Sequence, residues 1–283
     1  MNTQDTIAIL VNPKSNPAKS KKILEAIDKT LKQEQRPYSI FIHEWPENIN
    51  LFRELWIVGG DGTINYLLNH YMLISIPIAV LKAGTGNDIA WKLYGNLVIE
   101  EQIHRILKSS PQLIDAGVCN GRIFINGVGI GFDGEVLRSI NAIRKIGGHA
   151  GYLMVVLKKI FSFKEQAFTI YTANKTIKEK FLLVMVTNSS RTGGGFMVSP
   201  EASMTDGKFN LILCKPLSIL NRLLNLPVIE KGKHLDKNYI IHQLVSDVLI
   251  VGEKPLYAQL DGELIEGHSF KITVLHKRYY FKY

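Results

Sequence analysis

The chain has 283 residues, of which 46% are hydrophobic, and its formal net charge at pH 7 is +9; this composition favours one or two domains with a large core over a disordered chain. Its two cysteines lack metal-type spacing and argue against a disulfide framework. No apolar run approaches the roughly 20 residues that span a bilayer, and the first residues lack a signal-peptide pattern, so we expect a cytoplasmic protein.

Strand-like and helix-like runs alternate through residues 1–114. The strand-like runs cover residues 6–12, 38–43, 55–58 and 76–81, and the helix-like runs cover residues 19–32, 64–71 and 100–108. Such a βαβα order predicts a parallel sheet, and therefore an α/β domain.

Two of these strands are followed by glycine-rich turns, Gly59-Gly60-Asp61-Gly62-Thr63 and Gly84-Thr85-Gly86-Asn87-Asp88. Glycines let the backbone approach an anion closely, and the first-turn N–H groups of the next helix supply donors, so both turns suit phosphate. A plain bend would leave Asp61 unexplained, whereas a divalent cation would separate its carboxylate from the phosphates. If the two strands are parallel neighbours, Asp61 and Asp88 face one site. Thr63 is the expected N-cap of the first helix.

Short strand-like runs dominate the rest of the chain. They cover residues 113–118, 122–128, 167–173, 176–187, 207–214, 239–245, 247–251, 256–260 and 269–275. Runs of this length and number predict an antiparallel β domain.

Further motifs follow the two turns in a characteristic order. They are Val11–Ser15, which precedes the turns, then Phe124–Asn126, Gly131–Asp133, Asn188, Gly193–Gly195, Pro200–Ala202, Asp206–Gly207 and Leu260–Glu263. In order and spacing, nearly the whole chain resembles the diacylglycerol kinase catalytic family, which includes sphingosine kinases and bacterial soluble lipid kinases. The resemblance implies an N-terminal parallel-sheet nucleotide-binding domain, residues 1–114 joined by a C-terminal strand at about 271–283, and an antiparallel β-sandwich domain, residues 115–270.

The resemblance also implies an ATP-dependent kinase that phosphorylates a lipid hydroxyl, most simply converting diacylglycerol to phosphatidic acid. ATP is then the co-substrate and Mg²⁺ the cofactor. The residues implied for ATP binding are Asn12, Gly59, Gly60, Asp61, Gly62, Thr63, Ile64, Asn65 and Thr85. Lys14 is a further candidate for a phosphate contact.

Four carboxylates are implied for catalysis. Asp61 and Asp88 would surround the catalytic magnesium and its waters, Glu263 would be the general base for the lipid hydroxyl, and Asp133 would be a second acidic contributor. From the residues alone, the Asp-Gly step before Glu263 also fits an ordinary hairpin turn.

A second, structural magnesium is implied in the loop at Asp206. Its ligands would be the Asp206 side chain and main-chain oxygens at Ser203 and Lys208, a set of oxygen donors that suits Mg²⁺.

The chain departs from the family at two positions. His43-Glu44-Trp45 stands where a Thr often contacts the nucleotide, and Tyr66 stands where a Glu is usual. Two other functions stay open: a kinase of a soluble acceptor such as NAD, and a non-catalytic protein with a kinase fold that binds membranes or nucleic acid. Because all four carboxylates are present, we favour the enzyme, acting on a lipid at the membrane surface, with no nucleic-acid partner and with a homodimer left open.

The positive charge indicates an anionic partner, and residues 138–164 are the best candidate for a membrane contact. Basic residues such as Arg138, Arg144, Lys145 and Lys164 flank apolar runs there. We expect a helix packed on its own domain rather than an interfacial helix. Residues 214–239 fit no family pattern and are a candidate for the lipid entrance.

Overall fold

The structure, a computed structural model, describes residues 3–142 and 148–283. The chain forms two compact units: Met1–Asp115 with Lys277–Tyr283, and Ala116–His276. We call them the first and second unit. The predicted domain boundaries, 1–114 with 271–283 and 115–270, stay a prediction.

The first unit is built around a parallel sheet. Its elements are β1 (Ile7–Val11), α1 (Pro17–Gln33), β2 (Tyr38–Phe41), β3 (Glu54–Gly59), α2 (Asp61–His70), β4 (Ile78–Lys82), α3 (Asp88–Tyr94) and α4 (Ile99–Lys108). The strand order is β2-β1-β3-β4, and all three pairs are parallel. β1 and β3 are buried over their whole length, as the continuous apolar runs of a covered parallel sheet require. The predicted α/β class is confirmed.

The second unit is built around antiparallel strands. The elements from residue 112 onward are β5 (Gln112–Cys119), β6 (Arg122–Phe124), β7 (Gly127–Gly131), α5 (Phe132–Ala142), α6 (Gly148–Ser162), β8 (Gln166–Thr172), β9 (Thr176–Phe181), β10 (Leu183–Thr187), β11 (Phe209–Cys214), α7 (Ile219–Glu230), β12 (Ile240–Val245), β13 (Asp247–Leu260) and β14 (Glu263–Phe281). The main strand order is β12-β11-β10-β7-β13-β14, and β8 and β9 extend from β13. Buried aromatic side chains such as Phe124, Phe209 and Phe270 fill the core between the strands. The predicted β-sandwich class is confirmed.

β13 pairs with two different strands along its length, in addition to β14. Its residues Val248–Gly252 pair with β8, whereas Ala258–Leu260 pair with β7. Its register to β14 shifts between Val251 and Leu256, and an irregularity of this kind bends a strand. The sequence therefore indicated two separate strands where the structure has one.

Two other predicted strands are each divided. The predicted strand 122–128 splits into β6 and β7, because the backbone N–H groups at Ile125 and Asn126 bind the Asp261 carboxylate. The predicted strand 176–187 splits into β9 and β10 at Leu182, where the chain changes its partner from β8 to β11. Helix α7 was not predicted.

The predicted membrane-contact stretch, residues 138–164, contains the end of α5 and all of α6. Of its basic residues, Arg144 and Lys145 lie outside the described residues. One face of α6 packs through Val155, Val156 and Ile160 against Val136 of α5. Within the described residues, no helix combines the length and the apolar character needed to cross a membrane.

Candidate active site

The two glycine turns lie side by side in the first unit. β3 and β4 are parallel neighbours, with Val58 opposite Leu81 and Gly59 opposite Lys82, so both strands end at the same edge. The turns are close enough that a Cβ on Gly84 would lie 2.4 Å from the Gly60 Cα. Only glycine fits this backbone contact.

Asp61 links the turns. Its Oδ2 accepts a hydrogen bond from the Asp88 N–H at 3.1 Å, and its Oδ1 accepts one from the Ile89 N–H at 3.0 Å. These are first-turn donors of α3, which have no partner inside their own helix and lie at its positive end. The carboxylate therefore holds the start of α2 against the start of α3.

Thr63 is not the N-cap of α2, so that prediction was wrong. The helix begins at Asp61 with Gly60 as its N-cap, three residues earlier than expected, and Thr63 is buried within it. The Thr63 hydroxyl instead accepts a hydrogen bond from Asn12 Nδ2 at 2.8 Å. The Asn12 backbone N–H donates to the Val58 carbonyl at 3.1 Å. Asn12 thus joins the end of β1 to the first turn.

Asn87 closes the second turn, a role that the sequence analysis missed. Its Oδ1 accepts from the Gly84 N–H at 2.9 Å, and its Nδ2 donates to the Gly84 carbonyl at 2.7 Å. Its backbone has a φ of +53°, a left-handed conformation that asparagine tolerates better than most residues. Thr85 is left exposed at the tip of the turn.

The two positions that depart from the family are in contact. The rings of Trp45 and Tyr66 are edge to face with centroids 5.5 Å apart, and Tyr66 stacks on His70 at 5.3 Å. Tyr66 is 56% exposed, so this aromatic cluster is accessible on the outer side of α2.

The predicted catalytic carboxylates are divided between the units, with Asp61 and Asp88 in the first and Asp133 and Glu263 in the second. Asp133 is the second residue of α5. Its Oδ2 is shielded from water, and no hydrogen-bond partner for it is found in the described part of the chain. Burial raises the pKa of the Asp133 carboxyl to about 6, and a hydrogen bond to Gln259 partly offsets this.

The hairpin between β13 and β14 carries Asp261 and Glu263. Asp261 and Gly262 both have positive φ, +47° and +87°, as a two-residue hairpin turn requires. The Asp261 carboxylate accepts three backbone N–H groups, from Ile125 at 2.7 Å and from Asn126 and Gly127 at 2.9 Å. Glu263 begins β14 and is exposed. Asp261 is therefore the structural residue of this pair.

Gln259 connects the hairpin to Asp133, and no pattern in the sequence indicated this role. Its Oε1 accepts from the Gly262 N–H at 2.8 Å, and its side chain bonds the Asp133 carboxyl. Gln259 therefore connects the Asp133 carboxyl to the backbone of Gly262, the residue just before Glu263.

The predicted magnesium loop has one carboxylate. Asp206 Oδ1 accepts from the Lys208 N–H at 3.0 Å, and the Ser203 hydroxyl bonds Thr205. Across residues 3–142 and 148–283, no group of three or more His, Cys, Asp or Glu side chains is arranged to hold a metal ion. Any magnesium here would depend on main-chain oxygens.

An apolar pocket lies inside the second unit, at α5, α6, α7 and β10. The space that its lining residues surround is about 810 Å³, a figure that includes solvent at its open mouth. Most of its lining is apolar, for example Phe132, Ile160 and Leu226, and Asp133 and Arg222 are among the few charged residues that reach it.

Family models match nearly the whole chain. Residues 6–119 match the diacylglycerol kinase catalytic domain. Residues 126–276, more than half of the chain, match the YegS C-terminal NAD kinase beta sandwich-like domain.

Individual proteins agree with these matches. The diacylglycerol kinase of Bacillus subtilis (strain 168) is 26% identical over 209 residues, 72% of this chain and 69% of that protein. Two crystal structures from Bacillus anthracis strain Sterne are each 20% identical to this chain, and the second of them is of a diacylglycerol kinase. Their TM-scores are 0.79 and 0.71. The matches cover 100% and 99% of this chain, and 99% and 97% of the other chains. An NAD kinase from Archaeoglobus fulgidus in complex with ATP shares the fold at a TM-score of 0.57 and 14% identity, over 98% of this chain and 93% of its own. The chain therefore belongs to the diacylglycerol kinase catalytic family and is a kinase.

Proposed function

We propose that this kinase transfers the γ-phosphoryl group of ATP to a lipid hydroxyl, in the simplest case that of diacylglycerol, and that it works in the cytoplasm at the membrane surface. The observation that supports a lipid as the acceptor is the apolar pocket with Asp133 in its lining. An acyl chain gains by leaving water for such a pocket. A polar acceptor such as NAD would lose hydrogen bonds to water there without replacement.

The nucleotide would bind in the first unit. Asn12, the turn Gly59–Asn65 and Thr85 are the proposed contacts, with Lys14 as a further phosphate contact. The touching turns and the first-turn N–H groups of α2 support this placement, because they suit phosphate oxygens. The fold shared with an NAD kinase in complex with ATP is in agreement.

Asp61 and Asp88 are the carboxylates that would hold the catalytic Mg²⁺, which neutralises phosphate charge when bound. The donor set fits: each Asp61 oxygen accepts one backbone N–H and keeps further acceptor capacity. Ser203, Asp206 and Lys208 would hold a second, structural magnesium through oxygen atoms, as their resemblance to the family's loop suggests.

Glu263 is the proposed general base. The lipid hydroxyl oxygen forms a bond to the γ-phosphorus while its proton passes to the Glu263 carboxylate, and the bond from phosphorus to the bridging oxygen breaks to leave ADP. Asp133 would hold the acceptor end through its carboxyl group, whose raised pKa of about 6 suits proton exchange near neutral pH.

The test offers labelled ATP and Mg²⁺ with micelles of diacylglycerol, monoacylglycerol, phosphatidylglycerol or sphingosine, and separately with NAD. We expect label in at least one lipid and none in NADP. Label in NADP alone would overturn the lipid acceptor, and label in neither would support a non-catalytic protein.

Two variants test the assigned roles. Glu263→Gln should lower kcat at least a hundredfold with little change in the KM for ATP. Leu226→Trp should fill part of the pocket and raise the KM for the lipid. Leu244→Trp is the control, because Leu244 is 56% exposed on β12 and does not line the pocket.

A further inference from the structure

Helices α6 and α7 expose large apolar side chains to solvent. Met154, Phe161, Leu220 and Leu224 are 59 to 64% exposed, and Leu157 is 37% exposed. We call these five residues the α6–α7 face. Their spacing, i, i+3 and i+7 on α6 and i, i+4 on α7, places the residues of each helix on one side of it.

Packing inside the second unit does not account for this face. The opposite sides of the two helices already meet: Val155, Val156 and Ile160 of α6 lie in one cluster with Leu223 and Leu226 of α7. From Met154 onward, α6 is therefore apolar on both its inner and its outer side. A helix of this kind is usually covered by protein or lipid.

Charge favours lipid as the cover. No Asp or Glu occurs between Met154 and Lys164, or between Lys215 and Ile229. Lys158 and Lys164 are exposed on and just beyond α6. The nearest carboxylates in the sequence are Glu165, which pairs with Arg222, and Glu230 at the end of α7. An apolar surface bordered by lysines is complementary to an anionic bilayer, where lysine heads reach the headgroups. Two copies of such a face would bring like charges together.

The same two helices line the apolar pocket, through Val156 and Ile160 of α6 and Leu226 and Ile229 of α7. We propose that the α6–α7 face inserts into the surface of an anionic lipid bilayer, which places the pocket against the acyl chains of its substrate. This inference rests on the proposed lipid kinase function and adds the surface by which the enzyme reaches its lipid.

Vesicle sedimentation tests the face directly. The variant Phe161→Ser with Leu224→Ser removes two of its side chains. The matched control, Tyr171→Ser with Leu244→Ser, removes an exposed aromatic residue and an exposed leucine from β8 and β12. On vesicles of equal parts phosphatidylglycerol and phosphatidylcholine, we expect the first variant to bind at least tenfold more weakly and the control to stay within twofold of wild type. Equal binding by both variants would overturn the proposal.

The charge contribution is tested with Lys158→Glu combined with Lys164→Glu. This variant should lose the preference of the wild type for anionic over pure phosphatidylcholine vesicles, and added salt should weaken wild-type binding in the same way. An unchanged preference would mean that these lysines do not face the membrane.

Activity assays separate this inference from the proposed function. Phe161→Ser with Leu224→Ser should lose activity on long-chain diacylglycerol in vesicles but keep it on dispersed dihexanoylglycerol. If the wild type phosphorylates dihexanoylglycerol but does not bind vesicles, the docking face is wrong and the function stands. If it binds vesicles but phosphorylates no lipid, the function is wrong. If the variant only dissociates a dimer, as light scattering would show, the face joins two copies of the chain and the proposal fails.

Discussion

Asp133 is a carboxyl group that the fold keeps from water at a cost in stability. Its pKa of about 6 lies above the ordinary value of 3.8 because of burial. The folded state therefore binds this proton more tightly than the unfolded state. Burying this carboxyl therefore costs no folding stability below pH 3.8. The loss of stability grows between pH 3.8 and 6 and reaches its full value above pH 6. Residues retained despite such a cost are typical of functional sites.

We predict that Asp133→Asn stabilises the protein at pH 8 by about 1 to 3 kcal/mol, since one pKa unit corresponds to about 1.4 kcal/mol. The gain should disappear near pH 4, where the wild-type carboxyl is protonated. Lipid kinase activity should fall at least tenfold. Urea unfolding at pH 4, 6 and 8 measures the first effect, and a gain that does not vary with pH would contradict it.

Asp261 and Glu263 are two acids of one hairpin with opposite roles. The Asp261 carboxylate binds three backbone N–H groups, whereas Glu263 is exposed. We predict that Asp261→Asn costs about 2 to 4 kcal/mol, because an amide supplies one acceptor atom and turns a donor toward buried N–H groups. Glu263→Gln should change stability by less than about 0.5 kcal/mol while abolishing turnover. Thermal unfolding and kinase assays on both variants check this. If Glu263→Gln lowered stability and Asp261→Asn lowered only turnover, Glu263 would be the structural residue and Asp261 the catalytic one.

Individual residues were predicted from the sequence where the residue type carries its own signal. Glycines after a buried strand predicted the two turns, and the close approach of the turns at Gly60 and Gly84 agrees with that prediction. The sequence could not identify Gln259 or Asn87, because a hydrogen bond to a distant backbone or carboxyl group leaves no local pattern. It also assigned Thr63 to the wrong position of its helix, because several neighbouring residues could serve as an N-cap.

At the scale of elements, α7 was missed because its apolar residues lie on both sides and it contains Pro227. Proline lacks an N–H and normally argues against a helix interior. The strands that were divided wrongly share another cause: their limits are set by a change of partner at Leu182 and by the Asp261 carboxylate at Ile125. Parallel strands β1 and β3 were predicted well, since burial on both faces produces continuous apolar runs.

Arg222 holds α7 to the end of α6. Its Nη1 donates to the carbonyls of Ile160 and Phe163 at 2.8 and 2.9 Å, its Nε donates to the Leu217 carbonyl at 3.0 Å, and its Nη2 pairs with Glu165. The Ile160 carbonyl belongs to the last turn of α6, where helices lack internal donors. One guanidinium therefore satisfies several buried acceptors at once.

We predict that Arg222→Met destabilises the second unit by about 3 to 5 kcal/mol, because it leaves Glu165 and buried carbonyls without a donor. Arg222→Lys should restore only part of this, since an ammonium group lacks the planar fork that reaches several acceptors. Urea unfolding and hydrogen exchange of the α7 amides measure the effect. If Arg222→Lys were as stable as the wild type, the positive charge alone would account for the stabilisation.

At the scale of the whole molecule, the chain leaves the first unit in β5 and returns to it in the last residues of β14. The returning segment is bound in several ways. Phe281 pairs with Ile78 of β4, the Tyr94 hydroxyl donates to the Lys282 carbonyl at 2.6 Å, and Lys282 Nζ lies 2.9 Å from Glu54 Oε2. The first unit thus depends on residues that follow the entire second unit.

The buried pair of Lys282 and Glu54 gives this dependence a measurable form. Lys282→Met should cost about 3 to 5 kcal/mol because it leaves a buried carboxylate without its cation, and adding Glu54→Gln should recover at least about 1 kcal/mol of this loss. Glu54 also accepts from Trp56 Nε1 at 3.1 Å, so Trp56 fluorescence reports on the pair.

Because β3 and β4 carry both glycine turns, Lys282→Met should also weaken ATP binding, and the double variant should restore part of it. Unchanged ATP affinity in Lys282→Met would mean that the turns do not depend on the returning segment.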